Sequence, residues 1–206
     1  ILRDGKVPEH PHGGQLSAPM PLPLCTGLPV HVVGRFELRS PSRSVQLSTS
    51  TAHADEALRV EWNRELCNGV ATAYHSLLAT LPRQLHGLAP ETMYAYWPTR
   101  DAVALEELEA ALLTPLYSSV SESTLFLATP RDLEEEHSPK KKLRKLEDGL
   151  VLRSGLDVRL EGFVRQHFTI FDLPPSLAEH LLATKPKGTK PFNAKEMRGY
   201  LKRKLG

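Results

Sequence analysis

The segment Pro21–Leu38 reads PLPLCTGLPVHVVGRFEL. Prolines 21, 23 and 29 each fix a backbone φ angle, and Gly27 admits turn geometries closed to other residues. The first half is therefore a stiff, apolar entry. The second half alternates: Val30, Val32, Gly34, Phe36 and Leu38 fall on one face and His31, Val33, Arg35 and Glu37 on the other, the period of a half-buried β-strand. Gly34 inside that run predicts a bulge or a close backbone approach. Ser40 to Ala54 reads as a Ser/Thr-rich loop.

Downstream of the loop, Leu58, Trp62, Leu66, Val70, Leu77, Leu78 and Leu81 keep a helical spacing with Tyr74 on the same side, which predicts a helix over Asp55–Leu81 ended by Pro82. A second helix is expected from Thr99 or Asp101 through DAVALEELEAALL, with Glu106 and Glu107 suited to the dipole and Pro115 bending or breaking it. STLFLAT (Ser123–Thr129) reads as a short strand and GLVLRSGLDVRL as a further strand-like run, while GFVRQHFTIF fits helix or strand. PPSLAEHLL sets Ser176 against Glu179, and FNAKEMRGYLKRKL sets Asn193 against Glu196, in capping-box spacing, so two short helices close the chain. The expected fold is α+β, a small mixed or antiparallel sheet with one long packed helix and a helical C-terminal region. Four segments follow: a disordered lead-in (1–20), a strand-plus-helix segment (21–130), a charged linker (131–149) and a small C-terminal segment, α/β to helical (150–206).

Composition narrows the chemistry. The 206 residues are 40% hydrophobic and 24% charged, a globular balance, but only 6% aromatic with 17 prolines, so the core must be built from Leu and Val in short elements. The net charge of +2 gives no overall pull toward nucleic acid or anionic membrane. The C-terminal end is different: from Lys185 onward eight basic side chains stand against Glu196 alone, and Lys187, Lys190, Lys195, Arg198, Lys202, Arg203 and Lys204 form a candidate basic partner surface. The run SPKKKLRK (Ser138–Lys145) is nearly neutralised by flanking acids and reads as a solvated segment. Nucleic-acid binding is not expected, because the basic end has no interleaved exposed aromatics; Phe192 and Tyr200 read as packing residues.

Cys25 and Cys67 share no motif spacing, no leader pattern opens the chain, and no apolar run nears the roughly 20 residues of a membrane span. The expectation is a reduced, intracellular setting, cytoplasmic, with SPKKKLRK allowing a nuclear one; oligomeric state is not legible. The first residue is Ile, which suggests a fragment. GxGxxG, GxxxxGK[ST], GxSxG, HExxH and zinc-type Cys/His spacings are all missing from the sequence, so no catalytic, cofactor-binding or metal-binding residue is assigned. Glu106 and Glu107 belong to a solvated helix face, and His10 with His12 lacks a third ligand.

The opening segment, followed by EWNRELCNGVATAYHSLLATLP, resembles the repeated segments of the sacsin-like chaperone family. The likeness lies in Leu22, Pro23, Thr26, Gly27, Leu28, Pro29, Val30, His31, Val32, Gly34, Phe36 and Leu38, then Trp62 and Asn63 opening the helix and Tyr74, Leu77 and Leu78 near its end. It continues loosely through YAYWPT and TPLY and returns in LPPSLAEHLL and FNAKEMRGYLKRK, covering about Pro21 to Leu205. Val33 stands where the family has Asn, and SPSRS stands where it has Asn-Arg-Arg. The resemblance implies a molecular chaperone whose partners are protein clients and heat-shock chaperone machinery. It also implies that Mg-ATP is bound by an upstream domain of the gyrase, histidine-kinase and heat-shock-chaperone class, whose Asp-x-Gly-x-Gly segment this chain lacks. The prolines and Gly27 are then a frame between that domain and the strand, with His31 structural.

Overall fold

A computed structural model of the chain describes residues 13–39, 43–49, 53–84, 90–98, 106–120, 124–129 and 141–205. The architecture is α+β, in two compact units, Ile1–Ser119 and Val120–Gly206. No helix among the described residues is long and apolar enough to cross a membrane.

In the first unit, β1 (Gln15–Ala18) lies between β2 (Met20–Cys25), to which it is antiparallel, and β3 (Val32–Val33), to which it is parallel. The expected lead-in is thus corrected from residue 13 onward: Leu16 is buried in a central strand, while residues 1–12, with His10 and His12, lie outside the described residues. The proline-rich entry is itself a strand. Leu22 and Leu24 point inward and Pro21 and Pro23 outward, and because β2 is an edge strand the missing proline N–H groups leave no ladder gap. The expected Val30–Leu38 strand keeps its phase, with Val32 and Phe36 buried and Val33 72% exposed, but contracts to β3 plus β4 (Leu38–Arg39). The supposed loop after it contributes β5 (Ser44–Val45), antiparallel to β4, so that Val45 and Leu47 reach the core.

Helix α1 (Ala54–Gln84) opens with Asp55 and Glu56 on its positive end and continues past Pro82, which lies buried in its last turn rather than ending it. The buried stripe is Val60, Asn63, Cys67, Ala71, Tyr74 and Leu78. That stripe is rotated by roughly a quarter turn from the expected one: Leu58 is 64% and Trp62 50% exposed. Small Cys67 and Ala71 lie on the buried face of this helix, which packs on α3, and Asn63 is internal because its amide is fully hydrogen-bonded. After a short α2 (Pro90–Tyr94), α3 (Glu106–Ser118) buries Leu108, Leu112, Leu113, Leu116 and Tyr117 and runs through Pro115 without a break. Its expected start at Thr99 or Asp101 lies outside the described residues.

In the second unit, β6 (Leu125–Thr129) is central, antiparallel to β7 (Lys142–Lys145) and β8 (Ile170–Phe171). This pairing moves the expected boundary at residue 130 back to residue 119, and it turns the end of the expected charged linker into a strand and a 3-10 turn, Leu146–Asp148. The expected GLVLRSGLDVRL strand shrinks to single bridges at Leu150 and Val151. Asp157 ends it by capping α4 (Val158–His167), its Oδ1 accepting from the Arg159 and Leu160 amides. Helix α5 (Pro175–Thr184) is started by Pro174 and Pro175, not by a Ser176–Glu179 box; Glu179 instead accepts from the Ser154 hydroxyl. At α6 (Ala194–Leu205) the Asn193 Oδ1 accepts from the amides of Lys195 (2.8 Å) and Glu196 (3.3 Å).

The core of this unit centres on Phe126, Leu150, Val164, Ile170 and Phe171, with Phe126 edge-on to Phe171. Asp172 ties its elements together: it accepts from Arg165 of α4 (2.9 Å) and from Thr129 of β6 (2.7 Å) and pairs with Lys141 (3.4 Å). Replacing Phe126 by Ala opens a cavity in the central strand, and the midpoint of urea unfolding of this unit, followed by circular dichroism, is expected to fall by the equivalent of about 3–5 kcal/mol.

Candidate functional site

The residues that carry the family resemblance converge on the turn after β2 and the first half of α1. Gly27 sits at φ 73°, in the left-handed region that favours glycine. The buried Thr26 hydroxyl donates to the Gly14 carbonyl (3.1 Å) and accepts from the Leu28 amide (3.2 Å), and the Gly14 amide donates to the Leu28 carbonyl (3.0 Å). A Cβ on Gly14 would lie 2.0 Å from the Val30 carbonyl oxygen, so only glycine fits against this turn. Leu28 is fully buried, Pro29 half-buried and Val30 at the surface. His31 accepts at Nδ1 from the Gln15 amide (3.2 Å), which places its ring at the start of β1.

The next part of the motif is held by α1. Asn63 Oδ1 accepts from the Glu37 amide, and its Nδ2 donates to the carbonyls of Glu37 and Gln46, each at 2.8 Å. One buried amide thus joins the helix to both sides of the β4–β5 hairpin. The neighbouring Trp62 indole donates to the Arg35 carbonyl (2.8 Å), and the Phe36 ring tucks under Gly34, where a Cβ would meet it at 2.7 Å. Tyr74, two turns beyond Cys67, donates to the Tyr96 carbonyl (2.7 Å). The structure therefore brings together Thr26, Gly27 and Leu28 in one turn and Trp62, Asn63 and Phe36 in one clamp.

Sequence reasoning missed an aromatic group that completes this frame. Tyr94, Tyr96, Trp97 and Tyr117 are all buried; Trp97 stacks on Tyr117 at 6.0 Å, and the Tyr117 hydroxyl donates to the Pro98 carbonyl (2.5 Å). The signal was present in YAYWP, whose closely spaced rings stand out in a chain so poor in aromatics. Burial pushes the Tyr74 and Tyr117 phenols far above their ordinary range, and it raises the Cys67 thiol to about 11. Cys67 is thus an unreactive packing thiol, whereas Cys25 is exposed.

The basic surface is less uniform than its sequence. Lys195, Arg198, Lys202 and Arg203 are exposed along α6, with Lys204 next on the helix, and Lys187 is exposed before it. Lys190 is already engaged, its Nζ donating to the Glu147 carbonyl (2.6 Å). Arg203 also borders a hollow of about 280 Å³ with Glu196, Tyr200 and His167, where the Tyr200 hydroxyl lies 2.9 Å from His167 Nδ1. Phe163 and Phe168 pack around Tyr200, and Phe192 packs on Phe168, which fixes the hollow's wall. Among the described residues no three His, Cys, Asp or Glu side chains are grouped to hold a metal.

No family model matches the chain, and no curated protein or solved structure matches it either. The resemblance to sacsin-like repeats rests on the motif residues themselves. If they are a frame, Asn63→Ala leaves two carbonyls and one amide without their partner and costs about 2–4 kcal/mol of unfolding free energy in urea, with unchanged helix content by circular dichroism below the transition.

Proposed function

We propose that this chain is a non-catalytic segment of a sacsin-like molecular chaperone, which handles client proteins and relays movement from an ATP-binding domain upstream. The observation that carries the reading is the interlocking of the motif residues: the Thr26–Gly27 turn, the Trp62 and Asn63 clamp and the Tyr74 contact bind strands and helix into one stiff body. Helix α1, at 31 residues, spans roughly 45 Å. Clamped near its front by Asn63 and packed on α3, it suits the passing of a displacement from one end of the unit to the other. In this reading Mg-ATP belongs to the upstream domain, the partners are unfolding clients and heat-shock chaperones, and the setting is cytoplasmic.

The test is light scattering from citrate synthase unfolding at elevated temperature, with the purified chain added in equimolar amount. Scattering is expected to fall by about half or more, since client capture needs no ATP; scattering equal to that with an inert protein of the same size would overturn the client-handling role.

A second reading is favoured by the row of exposed cations on α6, namely Lys195, Arg198, Lys202 and Arg203: a stand-alone module that binds acidic partners or nucleic acid. Salt separates the two. Retention on a polyanion should collapse between low and physiological salt if α6 carries the binding, and client capture should not.

A further inference from the structure

The apolar stripe that α1 leaves outside is built in two halves of opposite shape. Leu58, Trp62, Leu66, Gly69, Ala73 and Leu77 follow one another at steps of three and four residues, so they share one side of the helix, apart from its buried face. Leu58 is 64%, Trp62 50% and Leu77 39% exposed; Leu66 is half-buried, and Gly69 and Ala73 are exposed. The N-terminal half carries the bulk. The C-terminal half opens as a notch, because a Cβ on Gly69 would meet nothing within 4 Å and Ala73 adds only a methyl group. The Trp62 ring is already ordered by its indole bond to the Arg35 carbonyl (2.8 Å), so covering it costs little side-chain entropy.

Bulk in one half and a notch in the other fit a second copy of the same helix turned end for end. With the two-fold axis level with Cys67 and Asn68, Leu66 lies against Gly69 of the second copy, Trp62 against its Ala73 and Leu58 against its Leu77, each contact made twice. Charge agrees with shape. Asp55 in the first turn comes to the end that carries Arg83 in the last, the helix dipoles oppose, and Arg59 and Glu65 meet Ser76 and Val70 rather than their own copies. A parallel pairing would instead set Trp62 on Trp62, leave a gap at Gly69 and bring each charge against its twin. Leu58 to Leu77 is roughly 28 Å of helix, and two such strips bury about 1,000 Å² in all, the size of a weak, reversible interface.

We propose that the outward stripe of α1 is a homodimer interface, in which two copies of this chain pack their long helices antiparallel, Trp62 and Leu66 of each seated on Ala73 and Gly69 of the other. The inference goes beyond the chaperone reading and does not depend on it; client capture bears on that reading alone.

The experiment is sedimentation equilibrium of the full chain across the micromolar range, with tryptophan emission read over the same dilution series. Of the two tryptophans Trp62 is half-exposed and Trp97 buried, so a dimer on this stripe moves the emission to the blue as concentration rises. Gly69→Leu fills the notch and Ala73→Glu charges it, and each is expected to weaken association by about tenfold or more. Gly69→Leu also replaces a poor helix former at an exposed site, so the melting temperature of the monomer should rise while the dimer is lost, which separates that loss from misfolding. A monomer at every concentration, a dimer that leaves the emission unmoved, or equal association by the wild type and both variants would overturn the interface.

Discussion

The first unit depends on one buried carboxamide. Asn63 is completely inaccessible to solvent and spends its oxygen and both polar hydrogens on backbone groups of the β4–β5 hairpin. An amide in that position is stable only when fully bonded, because its desolvation is otherwise uncompensated. The register of the hairpin and the rotation of α1 about its axis are therefore fixed by the same side chain. No other side chain can make the three bonds, since Asp lacks the donors and Gln is a methylene too long. Once that rotation is set, Cys67, Ala71, Tyr74 and Leu78 must face inward, and Arg64 and Asn68 must border the hollow beside α3.

The same amide explains what the sequence could and could not reveal. Apolar periodicity located α1 but chose its face from Leu58, Trp62 and Leu66, since a rule built on hydrophobicity ranks Asn, Cys and Ala below Leu and Trp. The structure decides otherwise: Trp62 is kept at the surface by its indole bond to Arg35, while Asn63, Cys67 and Ala71 take the buried face. In the Val30–Leu38 run the alternation was legible and the extent was not, because pairing partners lie outside the run, in β1 and β5. Pro21 and Pro23 hid a strand that is admissible only at a sheet edge. Residues Thr26, Gly27, Trp62 and Asn63 could be singled out through their resemblance to a family pattern, but their roles are three-dimensional. The hollow lined by Arg64 and Asn68 of α1 and Ala110, Ala111 and Pro115 of α3 has no sequence signal at all, being made by the apposition of two helices.

The second unit is governed by charge and capping more than by a long helix. Asp157 and Asn193 start α4 and α6 by accepting backbone amides, and Asp172 gathers Arg165, Thr129 and Lys141 around the end of the sheet. Asn193 could be read from its spacing to Glu196. Asp157 was hidden within a strand-like pattern, and the fork at Asp172 depends on residues far apart in the chain. The basic C-terminal helix is displayed outward by the packing of Tyr200 among Phe163 and Phe168.

Native-state hydrogen exchange at the Glu37 amide tests the central claim most directly, because the Glu37 residue is solvent-exposed and its amide donates to Asn63 Oδ1. A clamp that holds the frame together predicts that this amide exchanges only through unfolding of the whole first unit, with the same free energy as amides around the buried Ala71 in the middle of α1. Exchange at the rate of an open loop, while α1 remains protected, would contradict the account.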